Sequence, residues 1–212
     1  KKFNLGFPLH ILNIGGISNT TSTVDWKDLD QRKNNIRAFD IGPGNCLIDE
    51  WIRKNSEKKY DKNGSMARSG IVDELILNQA LDNFDNRPNQ NISSFDTSDF
   101  SLGFVRGLSF EDGAATLTEF TARLIGSGLE NFLSNSKDKL LKVLVCGGGR
   151  KNNTLIETIK NNTIKNLILQ PIDDYGIDGD YVESQAFAYL AIRSHLKLPI
   201  SFPLTTGCKK PS

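Results

Sequence analysis

The stretch AFDIGPGNCLIDEW, residues 38–51, decides how this chain is read. A hydrophobic run ends at Asp40, the turn-formers Gly42, Pro43 and Gly44 follow, and an amphipathic run starts at about Asn45. Leu47, Ile48, Trp51 and Ile52 recur at helical spacing, with Asn45 placed to cap the helix. The segment therefore reads as strand, tight turn and helix, with a carboxylate at the strand's C-terminal end. In open α/β sheets that is where a rigid scaffold presents groups to a ligand. An ionised Asp only accepts hydrogen bonds, so a chemical Asp40 would take a proton or orient a hydroxyl or a water. The local alternative is an Asp that closes the turn on its own backbone. The residues alone leave these two readings even.

Outward from this segment, short strands and helices alternate. Upstream, LHILNI (9–14) reads as a buried strand, Gly15-Gly16 as a tight turn and SNTTSTVDW (18–26) as a return strand. NIRAFDI (35–41) is the third strand. Downstream, helices are expected over residues 71–84, 109–136 (capped by Ser109), 152–162 and about 178–197, with strands at 141–149 and 164–172. Residues 85–108 are polar and carry Pro and Asn, and read as a long loop, linker or insertion. The expected division is residues 1–84, 85–108 and 109–212. A strand–turn–strand opening followed by alternating elements gives an α/β or mixed α+β class.

Composition excludes several functions. The 212 residues carry a net charge of +1, which argues against a nucleic-acid footprint or a basic membrane-binding face. No apolar run approaches the roughly 20 residues of a membrane span. The cysteines, Cys46, Cys146 and Cys208, are too far apart for a zinc motif, and only His10 and His195 accompany them. A reducing cytoplasm is the expected compartment. The sequence opens without Met, its only one being Met66, so a fragment is the expectation.

Two glycine turns could hold phosphate. In NIGGISNTT (13–21), Gly15 and Gly16 would let backbone N–H groups approach an anion, although a plain hairpin turn is the favoured reading of these residues alone. In VLVCGGGRKN (143–152), a hydrophobic strand runs into Gly147, Gly148 and Gly149. The spacing is neither G-x-G-x-x-G nor a P-loop, so dinucleotide and P-loop folds fit poorly. Of the acids Asp173, Asp174, Asp178, Asp180 and Glu183, Asp180 reads as a helix-start acid. Glu183 either faces the crevice or satisfies the same helix start, and the rest read as solvated loop acids.

Taken in order, LNIGGISNTT, FDIGPGNCLIDEW, YDKNGSMARSG, LSFEDGAATLTEFTA, VCGGGRKN and GIDGDYVESQAFAYLA resemble the anhydro-N-acetylmuramic acid kinase family. The resemblance implies an actin-like, sugar-kinase ATPase fold with ribonuclease-H-like lobes and the N-terminal portion missing. It also implies a cytoplasmic, homodimeric enzyme that uses ATP and Mg²⁺ on an anhydro-amino-sugar, with no nucleic-acid or membrane partner. By the same correspondence Asp40 is the catalytic base. Gly15, Gly16, Asn19, Gly147, Gly148, Gly149 and Asn152 are nucleotide-binding, Gly42, Asn45 and Glu183 are substrate-binding, and no metal ligand is assigned. Three departures accompany it: Ile41 stands where the family commonly has Thr, residues 85–100 diverge, and no SGTS-DG phosphate loop precedes LNIGG.

Overall fold

A computed structural model describes residues 8–23, 36–86, 94–133, 140–163 and 166–211. Residues 24–26 of the expected return strand, Asn35, residues 87–93 of the polar segment, the end of the expected helix at 134–136 and residues 164–165 of the expected last strand lie outside the described residues. The opening hairpin forms as β1 (Leu9–Ile14) and β2 (Ile17–Thr23), followed by β3 (Ile36–Pro43). The helix after the GPG turn is α1 (Cys46–Asn55). A short helix α2 (Ser65–Ser69) and α3 (Glu74–Asp85) come next. Then follow the long α4 (Phe110–Leu133), β4 (Leu140–Cys146), α5 (Asn153–Asn161) and β5 (Asn166–Pro171). The chain ends in α6 (Val182–His195) and one turn, α7 (Pro203–Thr206).

The strands form one five-stranded sheet in the order β3-β2-β1-β4-β5. Pairing is antiparallel between β1 and β2 and between β2 and β3, and parallel between β1 and β4 and between β4 and β5. An antiparallel meander extended by two parallel crossover strands is the ribonuclease-H-like arrangement expected above. Residues before 85 and after 108, expected as separate lobes, both contribute strands to this sheet. Because β1, β3 and β4 run in one direction, their C-terminal ends share one edge.

Alternation along the strands sorts side chains between two faces. Leu12 and Ile14 of β1, with Val143 and Val145 of β4, pack against Ala122, Ile125 and Leu129 of α4 and Leu155 and Ile159 of α5. Full burial of each large aliphatic chain contributes about 1.5–3 kcal/mol. Helix α4 also carries a second core, where Ala114, Leu117, Phe120 and Leu124 meet Leu47, Ile48, Trp51 and Ile52 of α1. Gly113 permits this close packing, since a Cβ there would collide with the Trp51 ring. Trp51 Nε1 donates to the Phe110 carbonyl at 2.9 Å. Within the polar segment, Leu102, Val105, Phe100 and Phe104 pack into the second core. On the opposite sheet face only a small cluster of Leu144, Cys146 and Ile172 forms, with Leu9, Ile11 and Val182 against it.

Candidate active site

The shared strand edge gathers the glycine turns. Gly44 N–H donates to the Gly16 carbonyl and Asn45 N–H to the Gly15 carbonyl, both at 2.8 Å. The fit is tight enough that a Cβ on Gly44 would strike the Gly15 carbonyl. Asn45 was expected to cap α1, but its side chain makes no cap bond. Its Nδ2 donates instead to the Ile14 and Gly15 carbonyls at 3.2 and 3.1 Å, so it ties β3's exit to β1's end. The third turn meets the same place, since a Cβ on Gly149 would lie 3.1 Å from Asn45 Nδ2. Gly147 has φ +79° and sits against Asn13 and Ile14, so only glycine fits there without strain.

Asp40 lies two residues before Gly42 on an irregular strand. Ser18 pairs with Gly42 but Asn19 pairs with Asp40, which makes Ile41 the extra residue of a bulge. Bulges re-aim side chains, and here Ile41 turns into the core against Gly128. Ser18 Oγ holds the bulge by donating to the Gly42 and Pro43 carbonyls. Asp40 itself is half-buried, and its Oδ2 accepts from Phe95 N–H at 2.8 Å. Burial raises its carboxyl above the ordinary value, and the Phe95 bond pulls it partly back. A carboxylate so placed is a stronger base than a solvated one, with one oxygen fixed by the backbone.

The turn after β4 has a support that the sequence reading missed. Arg150 is buried, and its guanidinium donates to Asp173, to Asp180 and to the Gly147 carbonyl. Gly147 N–H donates in turn to the Gly179 carbonyl at 3.0 Å. Asp173 and Asp180 were expected as a solvated acid and a helix-start acid; α6 has no side-chain cap, and both acids hold Arg150 instead. Lys151 also pairs with Asp180. In the sequence, an excess of acids in residues 173–180 facing one arginine after the glycines was the available signal.

The remaining expected residues fall as follows. Asn152 is buried, and its Oδ1 accepts from Leu155 N–H as the cap of α5. Glu183 is exposed in the first turn of α6, near enough to Cys146 to help raise that thiol. Burial is the main cause, pushing Cys146 up to about 11, so it is no nucleophile. The YDKNGS segment walls a cavity of about 400 Å³ with Asn45, Asp49, Gly148, Lys151 and Asn152. Asp61 is buried there and fixes α2 by accepting from the Met66 and Ala67 N–H groups.

The strand order β3-β2-β1-β4-β5, an antiparallel meander with two parallel crossovers and glycine turns along one edge, makes this an α/β fold of ribonuclease-H-like topology. The sequence matches the model of the family described as Anhydro-N-acetylmuramic acid kinase over residues 7–212, and the chain belongs to that family. It is similar to the anhydro-N-acetylmuramic acid kinase of Pelagibacter ubique, 53% identical over 97% of this chain and 53% of the relative. The corresponding protein of Zymomonas mobilis is 39% identical over 96% of this chain and 52% of its own length. The chain thus spans about half the length of the curated relatives it matches. Among solved structures, the activator of 2-hydroxyisocaproyl-CoA dehydratase from Clostridium difficile with bound ADPNP aligns with a TM-score of 0.45 at 16% identity, covering 90% of this chain and 64% of that one.

Proposed function

We propose that the chain supplies the base and the nucleotide-binding turns of an ATP-dependent kinase acting on 1,6-anhydro-N-acetylmuramic acid. Family membership supports the substrate class. The convergence of three glycine turns on the strand edge that carries Asp40 is the observation that supports the chemistry. Water attacks the anomeric carbon, and Asp40 takes its proton. The C1–O6 bond breaks, O6 bonds to the γ-phosphorus, and the β–γ bridge breaks to leave ADP and N-acetylmuramic acid 6-phosphate. Phosphoryl transfer needs positioning and charge compensation more than covalent help, and backbone N–H groups at the glycine turns provide part of both.

Gly15, Gly16 and Asn19 face the phosphates in this reading, and Gly147, Gly148, Gly149 and Asn152 the adenosine side. Gly42, Asn45 and Glu183 border the sugar. Space over Gly148, where a Cβ would have no neighbour nearer than 4.0 Å, fits close approach by a nucleotide. Among the described residues no three His, Cys, Asp or Glu side chains converge as a metal cage. A Mg²⁺ ion held chiefly by the nucleotide phosphates would supply further charge compensation. A cytoplasmic homodimer is the form that this reading implies.

A second reading has its own support. The chain matches about half of each relative, and α6 has no buried residue. On that reading the 212 residues act only with a partner segment that completes the phosphate clamp. The test is turnover of ATP and the anhydro-sugar. The chain alone is expected to show little or none, and the chain joined to the family's remaining half should turn over. Asp40→Asn in the joined protein should abolish turnover. Full activity in that variant would remove Asp40 as the base.

A further inference from the structure

The cavity beside the glycine turn contains a group that the proposed chemistry does not use. Its volume of about 400 Å³ suits a small-molecule site. Asn45 and Asp49 lie one turn apart on the α1 wall, with Tyr60 and Lys62 on the loop that follows and Gly148 and Lys151 opposite. Asp49 is half-buried, and among the described residues its carboxylate accepts no hydrogen bond. The neighbouring charges are otherwise engaged or lie at the side: Asp61 caps α2, Lys151 pairs with Asp180, Arg53 is on Asp49's own helix, and Lys62 stands on the wall. Burial pushes the Asp49 carboxyl up to about 6, Asp61 adds to the rise and Arg53 opposes it. A raised carboxylate destabilises the folded protein at neutral pH, a cost that Arg53 offsets only in part.

We propose that Asp49 is a specificity residue that accepts hydrogen bonds from the vicinal hydroxyls of a nucleotide ribose. This rests on the nucleotide reading of the glycine turn. Two carboxylate oxygens match two adjacent hydroxyl donors, the pairing by which an acid near a glycine turn holds ribose in dinucleotide folds. Asn45 lies directly beside Gly148 and Gly149, and Asp49 is one helical turn, about 5.4 Å, further along α1. A nucleotide with its phosphates over the glycines therefore brings its sugar, rather than its phosphates, to Asp49. Phosphate would be repelled there by the ionised carboxylate.

Calorimetry of the 212-residue chain with ADP and with 2′,3′-dideoxy-ADP tests this directly. At pH 8 the wild type should bind ADP about 10- to 100-fold more tightly than the dideoxy analogue, the size expected for hydrogen bonds to a charged group. Asp49→Asn should bind the two within about threefold of each other. The wild-type preference for ADP should shrink toward pH 5, and the ratio between the two ligands cancels titration of the phosphates. Asp49→Asn should melt at or above the wild-type temperature at pH 8, which separates lost binding from lost folding. Equal binding of ADP and the analogue by the wild type, or a preference that survives in Asp49→Asn, would overturn the assignment while leaving the nucleotide reading intact. No binding of either ligand by the wild type would overturn both.

Discussion

Arg150 grips Asp173 at two points, Nε to Oδ2 at 2.6 Å and Nη2 to Oδ1 at 2.9 Å, and so locks the turn after β4 to the turn after β5. The guanidinium is 5% exposed while the two carboxylates it holds, Asp173 and Asp180, are 42% and 41% exposed. Removing the arginine therefore costs less than opening a wholly buried pair. Arg150→Ala should lower stability by about 2–3 kcal/mol in denaturant unfolding. Arg150→Lys should recover only part, because an ammonium lacks the planar fork that meets Asp173 and the Gly147 carbonyl together.

The same pair sets an acid limb. Arg150, as the main cause, holds the Asp173 carboxyl down to about 2. In the unfolded chain it returns to about 3.9. Its stabilisation is complete above the unfolded value and is lost as pH falls from about 4 toward 2. Asp173→Asn should flatten the loss of stability across that interval, measured by chemical denaturation at stepped pH.

Gly44 and Gly16 should respond differently to the same substitution. A Cβ on Gly44 strikes the Gly15 carbonyl, whereas one on Gly16 meets Thr97 Cγ2 at an ordinary 3.5 Å. Gly44→Ala should cost about 1–3 kcal/mol through forced backbone movement. Gly16→Ala should stay within about 0.5 kcal/mol. Parallel thermal melts compare the two.

Asp40 gives a pH profile as well as a mutant. In the protein joined to the family's remaining half, Asp40→Asn should lower kcat by about 100-fold or more while nucleotide affinity holds. Burial raises the Asp40 carboxyl. A base must be ionised, so activity should fall on acidification at a pH above the ordinary carboxylate value. Loss of ATP affinity in step with rate would assign Asp40 to nucleotide binding instead.

Helix α6 carries exposed apolar side chains. Phe187, Tyr189 and Ile192 are 64%, 56% and 59% exposed. Replacing Phe187 and Ile192 with Ser should change stability by under about 1 kcal/mol in total. The double variant should reduce light scattering of the isolated chain. Unchanged scattering would locate association elsewhere.

The strand–turn–helix of residues 38–51 was legible because each part is local: an apolar run, the turn-formers Gly42, Pro43 and Gly44, and helical spacing from Leu47 to Ile52. Arg150 was not, because in GGGRKN it looks like a solvated turn cation and its partners follow 23 and 30 residues later. Asn45 was misread as a cap because residue type and position suited one, while its amide had carbonyls 30 and 31 residues upstream to bind. The bulge at Ile41 depends on pairing with β2, which residue type does not reveal.

The sequence by itself determined the order of strands and helices, the glycine turns and an acid at the end of β3, since backbone preference and hydrophobic periodicity act over a few neighbouring residues. Only the tertiary structure decided that the turns after β1, β3 and β4 meet at one edge, that Arg150 holds one of them in place, and that Asp49 faces a cavity with no hydrogen-bond partner among the described residues. Those outcomes depend on sheet order and on contacts between residues far apart in the chain, where hydrogen-bond satisfaction and burial are settled by the packed whole.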